Sequence, residues 1–188
     1  MAAVAVAVLL VIVLRRDDRV VPAIEPQATA PVPAAPAPAA TSPSFALSLS
    51  KPDIKLSPAA FTYRGVANEK EFFADLKPAL DAFRESDYAR ANREFATLAP
   101  RYPQSVEVAF YQGVARIYLN DLDGADASLA AAEQLNEASF ASEVTWYRAV
   151  VDERAGRTAS ARTRLDSLCR DVSFVRQSQA CDAASRVR

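Results

Sequence analysis

The chain has 188 residues and a net charge of −1, with 22 Lys and Arg against 23 Asp and Glu, two cysteines and no histidine. The charge balance excludes a nucleic-acid binder that works through bulk positive charge, and two cysteines exclude a disulfide scaffold. The lack of histidine excludes Ser-His-Asp and Cys-His nucleophile activation, His-ligated zinc or haem, and the usual pH switch near neutrality.

Composition divides the chain. Residues 1–60 hold nine of the twelve prolines and one aromatic, Phe45, whereas residues 61–188 hold the other fifteen aromatics and 36 of the 45 charged residues. Only the second part can build a core. The four glycines, Gly65, Gly113, Gly124 and Gly156, lie too far apart for a G-x-G-x-x-G motif or a P-loop.

Met1–Leu14 reads MAAVAVAVLLVIVL and runs into Arg15-Arg16-Asp17-Asp18-Arg19. As a helix, this apolar run reaches roughly 21 Å, short of the ~30 Å hydrocarbon core unless the arginines snorkel. Residues 1–19 are expected to form a hydrophobic membrane-anchor helix, truncated at its start. A signal-peptide core has the right length, but no basic residue precedes it and Asp17-Asp18-Arg19 is a poor cleavage site. The arginines favour a cytoplasmic domain by the positive-inside rule. The uncharged linker and the cysteine pair favour an extracytoplasmic, periplasmic one, which is the expectation adopted. Residues 20–62 read as a disordered Pro/Ala-rich linker; Pro31-Val32-Pro33-Ala34-Ala35-Pro36-Ala37-Pro38 is confined to an extended, polyproline-like spacer. Near its end, Phe45, Leu47, Leu49, Ile54 and Leu56 alternate as in an extended strap lying on the domain that follows.

From residue 70 the apolar residues recur at three and four, and Ala, Arg, Glu and Leu dominate. A repeat is visible. Ala91, Ala125 and Ala161 lie 34 and 36 residues apart. A small residue precedes each by twelve (Ala79, Gly113, Ala149), and a large apolar one follows each by four (Phe95, Leu129, Leu165). Turn signals precede each alanine: Glu85-Ser86-Asp87-Tyr88, Asn120-Asp121-Leu122-Asp123 and Ala155-Gly156-Arg157-Thr158. Pro78 breaks the first pattern, so a helix is expected to start at Lys77 with Pro78 in its first turn, or Glu69–Leu76 to form a separate turn. Ser105 is placed to cap the next helix. Val172–Val187 is expected to be a capping helix that lays Val175, Ala180, Cys181 and Ala184 on the end of the stack.

These residues, over positions 72–169, resemble tetratricopeptide repeats, with departures at Pro78, Gln112 and Arg116. The resemblance implies an all-α fold over residues 63–188: a right-handed helical-repeat solenoid of three helix–turn–helix units plus the C-terminal cap. Ala79, Ala91, Phe95, Gly113, Ala125, Leu129, Ala149, Ala161 and Leu165 are its packing positions. Small residues would let paired helices approach closely, and large ones would fill the groove to the next unit. In this family the first helices line a concave surface. Its positions fall on Arg84 in the first unit, Glu107, Phe110, Val114 and Tyr118 in the second, and Trp146, Glu153 and Arg154 in the third. That face would take a peptide or a helix, or be filled by the strap and become core.

Cys169 and Cys181 do not suffice for a zinc site and are not spaced as a redox motif. A disulfide stapling the cap and a pair of buried thiols both remain open, the disulfide being preferred. The arginines at 154, 157, 162 and 164 read as solvated helix faces. No carboxylate pair stands out, so no catalysis, cofactor, metal, nucleic acid or small-molecule substrate is expected. The expected function is a membrane-tethered, non-catalytic scaffold that binds a protein or peptide partner. Two alternatives stand beside it. The layout resembles the membrane and sensor half of bacterial transmembrane anti-sigma factors, without their cytoplasmic zinc-binding module, and a self-associating structural protein is the other.

Overall fold

A computed structural model describes residues 47–57 and 69–187. The expected anchor over residues 1–19 and the linker as far as residue 46 lie outside the described residues. Among these there are seven helices and no strand: α1 Glu69–Arg84, α2 Tyr88–Leu98, α3 Val106–Tyr118, α4 Leu122–Gln134, α5 Ala141–Arg154, α6 Thr158–Arg170 and α7 Gln177–Arg186. The all-α class is therefore observed. α1 packs on α2, α3 on α4 and α5 on α6; α2 then meets α3, α4 meets α5, and α7 covers α6. The first helices of successive pairs also touch, α1 with α3 and α3 with α5.

Each pair turns by the same local device. Ser86, Asn120 and Gly156 have φ of 64°, 59° and 74°, the left-handed conformation that ends a helix and reverses the chain. In each turn two backbone bonds close over the last carbonyls. Asp87 N–H donates to the Ala82 carbonyl (2.9 Å), Asp121 N–H to Arg116 (2.9 Å) and Arg157 N–H to Asp152 (2.7 Å), with shorter-range partners at Phe83, Ile117 and Glu153. Asp87 and Asp121 then cap the second helices, accepting from Arg90 and Gly124 N–H at 3.0 Å each. Ser105 caps α3 through Val108 N–H. These bonds satisfy backbone groups that a helix end otherwise leaves without partners.

The expected break at Pro78 does not occur, and α1 runs through it as one helix. Pro78 removes the bond to the carbonyl of Ala74, but both residues are exposed, so water can satisfy that carbonyl. The cap also differs from expectation. α7 starts at Gln177, and Val172 and Val175 are 87% and 94% exposed. Phe174, Ala180, Ala183, Ala184 and Val187 are the residues buried there. Cys169 and Cys181 are joined in a disulfide with a Cα–Cα distance of 4.7 Å, which ties α7 to the end of α6.

All nine packing positions are buried. At the middle crossing, a Cβ on Gly113 would sit 2.7 Å from Leu129 Cγ, so only glycine allows α3 and α4 this approach. Arg116 spans three helices, donating to Asn92 Oδ1 (3.1 Å), the Gly124 carbonyl (2.9 Å) and Ser128 Oγ (2.8 Å).

Two of the arginines expected in solvated faces are instead structural. Arg148, Asp126, Arg157, Asp152, Arg164 and Glu133 form a closed ring of alternating charge. Asp152, 3% exposed, is its buried point, held by Arg157 Nε at 2.7 Å and Arg164 Nε at 3.0 Å. The ring links α4, α5 and α6, and its charges cancel. Asp152 holds the Arg157 guanidinium above its ordinary pKa by hydrogen bonding, against the opposing effect of burial.

Ala125→Leu overpacks the middle crossing and is expected to cost ~1–3 kcal/mol, read as a lowered urea midpoint. Asp152→Asn keeps the shape but removes the charge bonded by two arginines, an expected cost of about 2–3 kcal/mol. Arg162→Ala, whose exposed pair with Asp166 is 4.0 Å long, is expected to change stability by less than about 0.5 kcal/mol. Equal midpoints for the Asp152 and Arg162 variants would rule out a structural role for the ring.

Candidate functional site

The first helices share one face, and an extended segment of the same chain lies on it. Residues 47–57 run from the C-terminal ends of these helices toward their N-terminal ends. Leu47 N–H donates to Glu153 Oε2 at 3.0 Å, in the last turn of α5. Ser57 N–H donates to Glu107 Oε1 at 2.7 Å, in the first turn of α3. Between these ends two tyrosines hold the backbone. Tyr147 OH donates to the Ser50 carbonyl at 2.6 Å. Tyr111 OH accepts from Lys55 N–H at 2.7 Å and donates to the Lys55 carbonyl at 2.9 Å, with the Asp53 carbonyl also in reach at 3.3 Å. An extended strand without a neighbouring strand needs such partners for its main chain, and here side chains supply them.

The strap's apolar residues complete the core. Leu47 is 3% exposed, and Leu49, Ile54 and Leu56 pack against the core from a half-buried position. Its lysines reach outward to the edges of the face. Lys51 Nζ donates to the Arg84 carbonyl (2.7 Å) and to Ser86 Oγ (3.0 Å). Lys55 Nζ donates to the Ser139 carbonyl (2.6 Å) and lies 4.8 Å from the Phe140 ring centroid. Arg176, inside the disulfide-closed loop, donates to Ser50 Oγ at 3.2 Å, pairs with Glu143 and sits 4.7 Å from the Trp146 ring centroid.

Burial sets the acid–base state of both tyrosines. Desolvation pushes the Tyr147 phenol from 10 up to about 12 and raises that of Tyr111 further. Both therefore stay protonated and able to donate at neutral pH.

The expected site residues lie on α1, α3 and α5, and several of them are buried. Phe110 and Val114 are fully buried and Trp146 is 2% exposed. Phe110 packs edge-on against Tyr111, Phe140 and Tyr147. Glu107, 1% exposed, is committed to Ser57 and to Ser105 Oγ at 2.9 Å. With the strap in place none of these four is open to a partner. Tyr118 stacks on Tyr88 with centroids 4.0 Å apart. Arg84 is exposed and turned onto Asp81; Glu153 and Arg154 are half-buried. Tyr111 and Tyr147, which do most of the backbone bonding, are not among the residues expected from sequence. Their signal is the repeated pair Phe110-Tyr111 and Trp146-Tyr147, 36 residues apart. The next residue along a helix lies about 100° round from the one before, enough to move the polar contact to the second ring of each pair.

Comparison with protein-family models, with curated proteins and with solved structures gives no match. Among the described residues, no cluster of three or more His, Cys, Asp or Glu is arranged to hold a metal, and no helix is long and apolar enough to cross a membrane.

A pH dependence follows from Tyr147. Its folded-state pKa lies above the unfolded value of 10, so its contribution to stability is complete below about pH 10 and is lost as pH rises toward 12. The urea midpoint is expected to fall across this window, and to fall less steeply in Tyr147→Phe. Identical alkaline profiles for the two proteins would remove Tyr147 as a cause.

Proposed function

We propose that the chain is a non-catalytic protein-binding scaffold, a tetratricopeptide-like right-handed solenoid that holds an extended protein segment along its first helices. One observation carries the reading: residues 47–57 already lie there, with their main chain bonded by Glu107, Tyr111, Tyr147 and Glu153. Main-chain bonding of an extended segment, with pockets for alternate side chains, is a general mode of peptide recognition. The repeat reading draws on the three left-handed turns, 34 and 36 residues apart, and on the buried small residues at each crossing. Residues 1–19 tether the scaffold to a membrane through the Pro/Ala-rich linker. The domain lies on the extracytoplasmic side, where a disulfide such as Cys169–Cys181 persists.

The test uses the full chain with its strap weakened by Leu47→Asp and Leu56→Asp. A fluorescent peptide of residues 47–57 is titrated in and followed by anisotropy. Saturable binding is expected. The parent chain should bind more weakly, because its own strap competes at a high effective concentration. A strap-weakened chain that keeps its helical signal and melting transition but binds no peptide would make the face core and not a site.

A further inference from the structure

We propose that the segment this face takes from a partner protein is apolar and basic, and is read through two lysines four residues apart. The inference rests on the function proposed above and specifies its ligand. The strap shows the chemistry. Lys51 is held at the C-terminal end of α1, by the carbonyl of its last residue, Arg84, and by Ser86 Oγ. Carbonyls there lack helical partners and form the negative end of the helix dipole, which favours a cation. The Arg84 guanidinium does not compete, because it is paired with Asp81. Lys55 is held on the other side, by the Ser139 carbonyl and the face of Phe140, a cation–π arrangement.

Apart from Ser86 Oγ, the oxygens in both subsites belong to the main chain. The turn geometry of Ser86, with φ of 64°, and the chain leading into α5 fix their positions. Each presents oxygen to the ligand. An acidic side chain in either subsite would meet that oxygen with like charge, so the groove rejects acidic segments as well as attracting basic ones.

The spacing also fixes register. Four residues of extended chain span ~13 Å. A one-residue slip would put Pro52 and Leu56 in the lysine subsites and turn the inward leucines outward. Pro52 holds Lys51 extended before binding, which lowers the ordering cost. Tyr147 holds the main chain at Ser50, and Tyr111 holds it at Asp53 and Lys55. The ligand is therefore an eleven-residue extended segment with apolar residues at its first, third, eighth and tenth positions. Lysine occupies the fifth and ninth, and a small residue stands at the end, where Ser57 is 1% exposed.

Two experiments test this. In the first, the strap-weakened full chain is titrated with the peptide of residues 47–57 and with its K51E and K55E forms. Each charge reversal is expected to weaken binding by about tenfold or more. Equal affinities for all three would overturn the lysine reading and leave the groove standing; no binding by any of them would overturn the groove itself. The second keeps the parent fold and needs no added ligand. Lys51→Glu and Lys55→Glu are introduced into the full chain, and amide hydrogen exchange is followed at residues 47–57. Exchange there is expected to quicken by about tenfold or more, and by a larger factor than at the amides of α3 and α5; unchanged strap protection would overturn the proposal. A doubled mass for the parent chain in light scattering would instead assign the face to the strap of a second copy.

Discussion

The close approach of paired helices is the constraint on which the rest of the structure depends. Where α3 crosses α4 there is no room for a single methyl group between Gly113 and Leu129. Alanines occupy the matching places at the other crossings, all fully buried. Helices this close expose little apolar surface between themselves and push their large residues toward the next pair. Phe95 meets Tyr111 of the next pair in this way, and Phe95, Leu129 and Leu165 are all fully buried. The first helices consequently lie side by side with their aromatic residues crowded along one face. That face is too apolar to stand open, since Phe110, Tyr111, Phe140 and Tyr147 are all in ring contact. A cover is a physical requirement of the stack, and the strap supplies it.

The strap is covered in turn by groups that suit a main chain better than any particular side chain. Two carboxylates take its terminal N–H groups, and two phenols take groups between them. Burial keeps both phenols protonated, so Tyr111 can accept and donate at the same residue. Side-chain choice enters at the edges, where the lysines find carbonyl oxygens, and where Leu47 and Ile54 pack on the core. Arg176 joins strap and cap. The disulfide closes the loop that carries it, and the same guanidinium reaches Ser50, Glu143 and Trp146.

Sequence made the repeat legible because small residues at fixed spacing have a single use. Ala91, Ala125 and Ala161 fall where helices cross, and the turn signals before them fall at the left-handed residues. The alternation at Leu47, Leu49, Ile54 and Leu56 likewise announced an extended segment. Other features depend on partners far along the chain and leave no local pattern. Asp152 resembles any acidic residue on a helix; that it is buried between Arg157 and Arg164 follows from how α4, α5 and α6 meet. Pro78 misleads because its cost is local, whereas α1 is held on both sides of it by the burial of Phe72, Leu76, Ala79 and Phe83, and the freed Ala74 carbonyl lies on an exposed residue. Val175 fits a helical stripe, yet the chain turns there and Phe174 takes the buried place. The face residues carried over from the repeat resemblance do not include Tyr111 and Tyr147, the neighbours of Phe110 and Trp146, whose hydroxyls bond the strap.

Under the proposed function the strap is both cover and occupant, and stability and binding then draw on one free energy. Whatever holds residues 47–57 in place also stabilises the stack, and anything that replaces them has to supply the same contacts. A strap tethered by a short link competes at an effective concentration on the order of millimolar. A free segment at micromolar concentration then needs an intrinsic affinity roughly a thousandfold better, about 4 kcal/mol. The strap leaves room for such an advantage. Ser48, Ser50 and Asp53 are exposed and contribute main chain more than side chain, and Leu49, Ile54 and Leu56 are only half-buried. A segment with larger apolar residues in place of Leu49, Ile54 and Leu56, keeping Ser50 and both lysines, would gain area without losing a hydrogen bond. At ~25 cal/mol per Å² of apolar surface, the required difference corresponds to about 160 Å², which a few larger side chains can provide.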